Sequence, residues 1–105
     1  MITLERLLDK AMDKGEAKLN GRLSYGFGQR GDLQEKYSIR VKDNVVTLKH
    51  WGTVTLEVDY KKGKILYYYG ESKSDRDSMN YLLDKLGVDG TFRYRPVNGG
   101  FTFEP

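Results

Sequence analysis

The sequence predicts an α+β fold, in which an antiparallel sheet of about five to seven strands packs against two amphipathic helices. Residues 3–14 and 75–86 each repeat apolar residues at the spacing of a helix. In the other segments apolar and polar residues alternate, which is typical of strands with one buried face. The turns between these segments are too short for parallel crossovers, so antiparallel pairing is expected. We expect one domain, 1–105, because a chain of this length builds one modest core.

The first helix is indicated by an apolar stripe and by residues suited to its two ends. Thr3 is a candidate N-cap. Gly15 is suited to end the helix, because glycine adopts the left-handed conformation without steric cost. The stripe consists of Leu4, Leu7, Leu8, Ala11 and Met12.

A strand is expected near Leu23–Phe27, where Gly26 and Gly28 interrupt the pattern. These glycines belong to Gly26–Gly31, which matches the Gly-x-Gly-x-x-Gly motif of dinucleotide-binding proteins. That chemistry requires the glycines to open a helix within a parallel sheet. Residues 32–41 instead continue into a strand pattern. The segment is therefore predicted to be a mobile hairpin loop and not a nucleotide site.

The middle of the chain shows strand alternation interrupted by turn residues. Asp43-Asn44 is suited to a tight turn, and Lys61–Lys64 supplies another. The alternation is clearest around Val54, Leu56 and Val58. The predicted strands of this group are Tyr37–Val41, Val45–His50, Thr53–Tyr60 and Ile65–Tyr69.

The second helix is indicated by a leucine-rich stripe that ends at Gly87. Ser74 followed by Asp77 resembles a capping box, with Asp in place of the usual Glu. The predicted core combines the stripes of both helices with the inner face of the sheet. It consists of Leu4, Leu7, Leu8, Met12, Ile39, Val41, Val54, Leu56, Val58, Met79, Leu82, Leu83 and Leu86.

Two further strands are predicted after the second helix. Phe92 and Tyr94 alternate with arginines, and Asn98-Gly99 is a strong hairpin signal. Phe101 and Phe103 are expected to return on the same face as Phe92 and Tyr94.

The composition excludes several classes of protein. There is no cysteine, which excludes disulfides, thiolate metal sites and cysteine nucleophiles. No apolar run approaches the roughly 18 residues of a membrane span, so no membrane contact is expected and the protein is expected in the cytoplasm. The net charge is +3, with 18 basic and 15 acidic residues mixed along the chain. This mixture argues against an acidic mimic of DNA.

His50 is the only histidine, and two roles are considered for it. It could serve as a general acid–base group with a carboxylate such as Glu57 or Asp59. We favour a histidine at a strand end beside Trp51, satisfied by backbone groups. The sequence has no serine nucleophile elbow, no phosphate loop and no recognisable metal-ligand spacing. We therefore predict no enzymatic activity, no catalytic residue, no cofactor and no metal, with a small nuclease using His50 as the less favoured hypothesis.

Aromatic and basic residues are the more informative surface candidates. Tyr67–Tyr69 are consecutive, so at least one ring must face away from the core of a strand. Basic side chains combined with flat rings are typical of nucleic-acid binding and also anchor protein interfaces. The alternative is that they are ordinary strand and turn residues. The candidate partner-binding residues are Trp51, Lys61, Lys62, Lys64, Tyr67, Tyr69, Arg93 and Arg95.

Four segments carry a resemblance to known proteins: His50–Thr53, Tyr68–Ser72, Ser74–Asp77 and Phe92–Pro96. Together they resemble a family of small proteins carried by phages, plasmids and other mobile elements of Gram-positive bacteria. Some small proteins from that setting are anti-CRISPRs, which inhibit the type II CRISPR effector nuclease or its assembly with guide RNA. The resemblance covers about half of the chain.

The resemblance implies an anti-CRISPR-like inhibitor in the cytoplasm of the bacterial host. Its expected partner is the effector nuclease, the guide RNA or their assembly intermediate. The alternative is a mobile-element accessory protein that binds another host or phage partner. The oligomeric state is left open by the sequence.

Overall fold

The computed structural model describes residues 2–24, 30–95 and 100–105, and its fold is α+β as predicted. Among these residues, no helix is both long and apolar enough to cross a membrane. The elements are α1 (Ile2–Lys14), β1 (Glu16–Ser24), β2 (Arg30–Lys42), β3 (Val45–His50), β4 (Thr53–Asp59), β5 (Lys64–Tyr68), α2 (Lys73–Leu86), β6 (Thr91–Arg95) and β7 (Gly100–Glu104).

Strands β1 to β5 pair antiparallel in chain order, so β1 and β5 are the edges of the sheet. Strands β6 and β7 form a separate antiparallel pair. The turn predicted at Asp43-Asn44 is confirmed. Its φ angles of 53° and 68° are the left-handed values of a type I′ turn, whose twist matches that of the flanking strands.

Strand β1 starts at Glu16, well before the strand predicted at Leu23–Phe27. Residues 25–27 lie outside the described part of the chain. The inner positions of β1 include Ala17, Leu19 and Gly21. Alanine and glycine are poor strand formers, which hides the alternation in the sequence.

The Gly26–Gly31 motif falls between two paired strands. Ser24 of β1 pairs with Arg30 of β2 in antiparallel register. The motif therefore leads into a strand and not into a helix, which contradicts the dinucleotide interpretation. The predicted mobile loop itself concerns residues 25–29, which lie outside the described residues.

The core lies on one face of the five-stranded sheet. Helix α1 packs against β1 and β2, and α2 packs against β4 and β6. Buried side chains of both helices and of the inner sheet face form one apolar cluster. The predicted core residues buried in it are Leu4, Leu7, Leu8, Ile39, Leu56, Val58, Met79, Leu82 and Leu83.

Four predicted core residues are less buried than expected. Val41 and Leu86 are half-buried and pack against the core. The prediction for Met12 is wrong, because its side chain is 45% exposed. Met12 lies about 80° around the helix from Leu4, at the margin of the apolar stripe.

Val54 is half-buried because a bulge in β4 turns it away from the core. Leu48 pairs with Leu56, whereas Lys49 pairs with Val54, so Thr55 is an extra residue in β4. Thr55 takes the buried place and donates a 3.4 Å hydrogen bond from Oγ1 to the Leu48 carbonyl.

Helix α2 begins two residues earlier than predicted, and the capping box assigned to Ser74 and Asp77 is wrong. Ser72 is the N-cap, and its Oγ accepts a 3.1 Å hydrogen bond from the amide of Asp75. In return, the Asp75 carboxylate accepts from the amide of Glu71 at 3.1 Å. The same Ser-x-x-Asp chemistry is therefore used two residues upstream.

The β6–β7 pair attaches to α2 and to the end of β5. As predicted, the aromatic residues of the two strands share one face: Phe103 lies opposite Phe92, and Phe101 lies opposite Tyr94. The Asn98-Gly99 turn lies outside the described residues.

Asn80 of α2 joins the helix to the free edge of β6. Its amide oxygen accepts from the Phe92 N–H at 2.7 Å, and its amide nitrogen donates to the Phe92 carbonyl at 2.9 Å. The ring of Phe92 also packs 5.1 Å from that of Tyr68, centroid to centroid. Helix α2 therefore positions the hairpin through polar and apolar contacts together.

We predict that Leu83→Ala lowers the free energy of unfolding by about 2–5 kcal/mol, because it removes a side chain that is 1% exposed and leaves a cavity. Met12→Ala is the matched control and should change stability by less than about 0.5 kcal/mol. Chemical denaturation of both variants measures the difference. Equal losses in the two variants would contradict the assignment of the buried helix faces.

Candidate functional site

A cleft opens where the β3–β4 turn meets the start of α2. Its volume is about 340 Å³. Trp51 and Tyr69 form aromatic walls, His50 lies between them, and Glu71 and Asp75 contribute carboxylates. We call this the aromatic cleft.

His50 and Asp75 form the polar centre of the aromatic cleft. Nδ1 of His50 lies 2.7 Å from Oδ1 of Asp75, and the two side chains are only 10% and 8% exposed. The Tyr37 ring stacks on the imidazole at 4.5 Å between centroids, with 7° between the planes. The imidazole is therefore fixed between β2 and the first turn of α2.

His50 ends β3 beside Trp51, as predicted, but its hydrogen-bond partner differs from those expected. Glu57 pairs with Thr47 and Tyr67 on the opposite face of the sheet. Asp59 accepts hydrogen bonds from backbone amides of the β4–β5 turn. The partner of His50 is the Asp75 carboxylate, not Glu57, Asp59 or a backbone group.

The surroundings of Asp75 favour its ionised form. Burial alone would raise the pKa of this carboxyl. Hydrogen bonds from His50, the Glu71 amide and Ser72, with attraction to His50, outweigh burial and hold the pKa below its ordinary value of 3.8. An ionised carboxylate only accepts hydrogen bonds, so Nδ1 of His50 is the donor.

Trp51 occupies a backbone conformation that is rare for a bulky residue. Its φ is 51° and that of Gly52 is 82°, which makes a second type I′ turn between β3 and β4. Asn, Asp and Gly are favoured at the position Trp51 occupies, and left-handed conformations of other residues cost about 1–3 kcal/mol. The indole reaches over Gly21 of β1, where its Cη2 lies 3.4 Å from the place a Cβ would take. Such strain is concentrated at functional sites.

The lysines of the predicted site lie at the far end of β4 from Trp51. Lys61 and Lys62 belong to the exposed β4–β5 turn, where both backbone amides donate to Asp59. Lys64 opens β5 opposite Asp59 and is also exposed. We call these three residues the lysine turn.

Between the lysine turn and the aromatic cleft lies a run of four exposed apolar side chains. Leu66, Tyr67, Tyr68 and Tyr69 are 49%, 46%, 42% and 44% exposed, respectively. They follow the outer edge of the sheet, since β5 pairs only with β4 in the described part of the chain. We call this run the β5 strip.

Neighbouring residues of the β5 strip point to different sides. Tyr67 lies on the open face opposite Glu57, whereas Tyr68 contacts Phe92. The Tyr69 hydroxyl donates to the Glu71 carboxylate at 3.0 Å, and this bond is the main reason that the pKa of Tyr69 is raised.

Arg93 and Arg95 lie apart from the other candidates. They line a second cleft of about 280 Å³, between α2 and β6, together with Arg76. Arg93 is paired with Glu104 at 2.8 Å, between Nε and a carboxylate oxygen. The structure thus places Lys61, Lys62, Lys64, Tyr67 and Tyr69 along the β5 edge of the sheet, with Trp51 beside Tyr69 in the aromatic cleft, and it separates the two arginines from them.

The contact between Asp75 and His50 does not follow from the sequence. Asp75 is 25 positions from His50, and no local pattern reports that separation. The Ser-x-x-Asp spacing from Ser72 was the available signal for its capping role.

Scans against protein-family models, curated proteins and solved structures each return no match. The resemblance to mobile-element proteins and the eight partner-binding residues therefore stay predictions.

We predict that Asp75→Asn destabilises the fold by about 1–3 kcal/mol near neutral pH, because it disrupts a buried hydrogen-bonded carboxylate. The pKa of Asp75 is lower when folded, so its contribution is complete above the ordinary value of 3.8. The contribution is lost as the pH falls below 3.8 toward the lower folded pKa.

Denaturation of wild type and Asp75→Asn across this acidic range measures the effect. The gap between their unfolding free energies should narrow as the pH falls. A gap that stays constant or widens would contradict the stabilising role assigned to the ionised carboxylate.

Proposed function

We propose that the chain is a non-enzymatic binding protein whose protein partner docks on the β5 strip. The observation that carries the proposal is a run of four consecutive large apolar residues, each more than two-fifths exposed, of which Leu66 to Tyr68 lie on the edge strand β5 and Tyr69 follows it directly. Exposed apolar side chains along such an edge are typical of interaction sites. Tyrosine is also enriched among the residues that dominate interface energies.

The backbone of β5 offers a second means of attachment. An edge strand presents unpaired N–H and C=O groups, to which an extended segment of another protein can add as a further strand. The lysine turn lies at one end of this edge and favours acidic residues in the added segment. The aromatic cleft lies at the other end and offers the rings of Trp51 and Tyr69.

The resemblance to mobile-element proteins makes the type II CRISPR effector nuclease the first partner to test. In this proposal the chain is an anti-CRISPR-like inhibitor that occupies the nuclease, its guide RNA or their assembly intermediate. A direct protein contact is favoured, because the β5 strip is apolar. The alternative partner is another host or phage protein, bound by an accessory protein of the mobile element.

The test is a pull-down from cells containing the nuclease and guide RNA, repeated after ribonuclease treatment. We expect recovery of the nuclease in both cases, and loss of recovery with Tyr67→Ser. Met12→Ala is the matched control, because it removes an equally exposed apolar side chain from α1. Recovery only with RNA present would favour guide binding. If the nuclease is recovered in neither case and DNA cleavage is undiminished, the inhibitor function is excluded and the accessory-protein function is the one left.

We predict that Trp51→Asn separates folding from binding. Asparagine favours the left-handed position of this type I′ turn, so the variant should keep the β3–β4 hairpin and lose little stability. Partner binding should weaken about tenfold or more, since a buried interface aromatic contributes roughly 2 kcal/mol. Thermal unfolding and the same pull-down measure the two effects. Binding at the wild-type level would exclude the aromatic cleft from the interface.

A small nuclease remains a second candidate because of the His50–Asp75 pair. A carboxylate that orients an imidazole through Nδ1 is the arrangement used in general base catalysis. The test is incubation of the pure protein with labelled RNA, with and without magnesium. Cleavage that is lost in His50→Ala would establish this activity and overturn the binding-only function.

A further inference from the structure

We propose that the cleft between α2 and β6 binds the phosphate groups of a single-stranded nucleic acid. Arg76 enters it from α2, and Arg93 and Arg95 enter from β6. We call it the arginine cleft. It is separate from the β5 strip, so the inference does not depend on the proposed protein partner.

The base of the arginine cleft is held rigidly. Asn80 bonds both backbone groups of Phe92, which ties α2 to β6 at the centre of the cleft. The Phe92 side chain is 1% exposed and anchors β6 in the core. Three guanidinium groups are thus attached to elements whose separation is fixed, which reduces the entropy lost when a ligand binds.

The ion pairs already present leave these arginines available. Arg76 bonds Asp77, and Arg93 bonds Glu104, but both pairs are substantially exposed and such pairs contribute little to stability. Arg95 has no ion pair among the residues that the structure describes. Residues 96–99, which follow it, contain no acidic side chain in the sequence. The cleft therefore keeps an excess of positive charge.

The types of side chain favour a nucleic-acid strand. The planar guanidinium donates two parallel hydrogen bonds to a phosphate, with more geometric specificity than a lysine ammonium. Tyr94 lies on the other face of β6, opposite Phe101, so the arginines supply the contacts. A single strand carries a phosphate at every nucleotide and can therefore meet several of these donors at once.

The test measures fluorescence anisotropy of a labelled single-stranded oligonucleotide at low ionic strength, using RNA and DNA of one sequence. We expect binding that weakens steeply with salt. Competition by unlabelled strand, by inorganic phosphate and by an acidic peptide distinguishes the sources of the anion. Displacement by the strand at far lower concentration than by phosphate supports the proposal. Equal displacement by the acidic peptide, or no binding at all, overturns it.

Variants assign the binding to the cleft. Arg76→Gln and Arg95→Gln should each weaken binding about threefold to tenfold and lower the salt slope by about 0.7. Lys49→Gln is the charge-matched control, because Lys49 is exposed on the open face of the sheet opposite Val54. Equal weakening by Lys49→Gln would indicate diffuse attraction to net charge and overturn the site.

A second measurement does not depend on variants. Titration of the labelled wild-type protein with the oligonucleotide should shift the amide resonances of Thr91, Arg93 and Arg95, and leave that of Lys49 in place. Unshifted β6 resonances would contradict the proposal. The Tyr67→Ser variant should bind the oligonucleotide as wild type does. A result against the protein partner on the β5 strip can therefore be distinguished from a result against nucleic-acid binding in the arginine cleft.

Discussion

The hydrogen bond between His50 and Asp75 holds together the parts of the molecule that carry both candidate surfaces. It joins the end of β3 to the first turn of α2, in a place where both side chains are nearly buried. Asp75 also accepts from the Glu71 amide, while its own amide donates to the Ser72 cap. One carboxylate therefore orients the imidazole and fixes the start of the helix. Because Arg76 follows Asp75 directly and Asn80 lies one turn later, the position of the arginine cleft depends on the same contact.

Much of the fold was predictable because most of its elements obey local periodicity. Both helices, the β2–β3 turn and the facing phenylalanines follow from spacing and turn chemistry. The differences arise where a tertiary contact overrides the pattern. Thr55 forms a bulge that turns Val54 outward, and Ser72 replaces Ser74 as cap because Asp75 is needed by His50. The bulge leaves no local signal, whereas the spacing from Ser72 to Asp75 equals that from Ser74 to Asp77 and the sequence alone does not decide between them.

The candidate site was less predictable because its residues are distant in sequence. The aromatic and basic composition indicated Tyr67, Tyr69 and the lysine turn, which do lie along one edge. Composition cannot indicate that Arg93 and Arg95 face a different cleft, since that depends on the separate pairing of β6 with β7. Composition also does not indicate which carboxylate reaches His50. Asp75 does so, whereas Glu57 and Asp59 point to other surfaces.

The same contacts give the His50–Asp75 pair a structural role. Asp75 is ionised and fully engaged in holding the helix and the imidazole, and Tyr37 stacks against the ring. The His50–Asp75 pair therefore supports the walls of the aromatic cleft. Among the residues that the structure describes, no comparable contact accounts for the left-handed backbone at Trp51 or for the exposure of the β5 strip. A partner that covers the strip would recover the apolar area, and one that contacts the indole would compensate the backbone conformation that presents it.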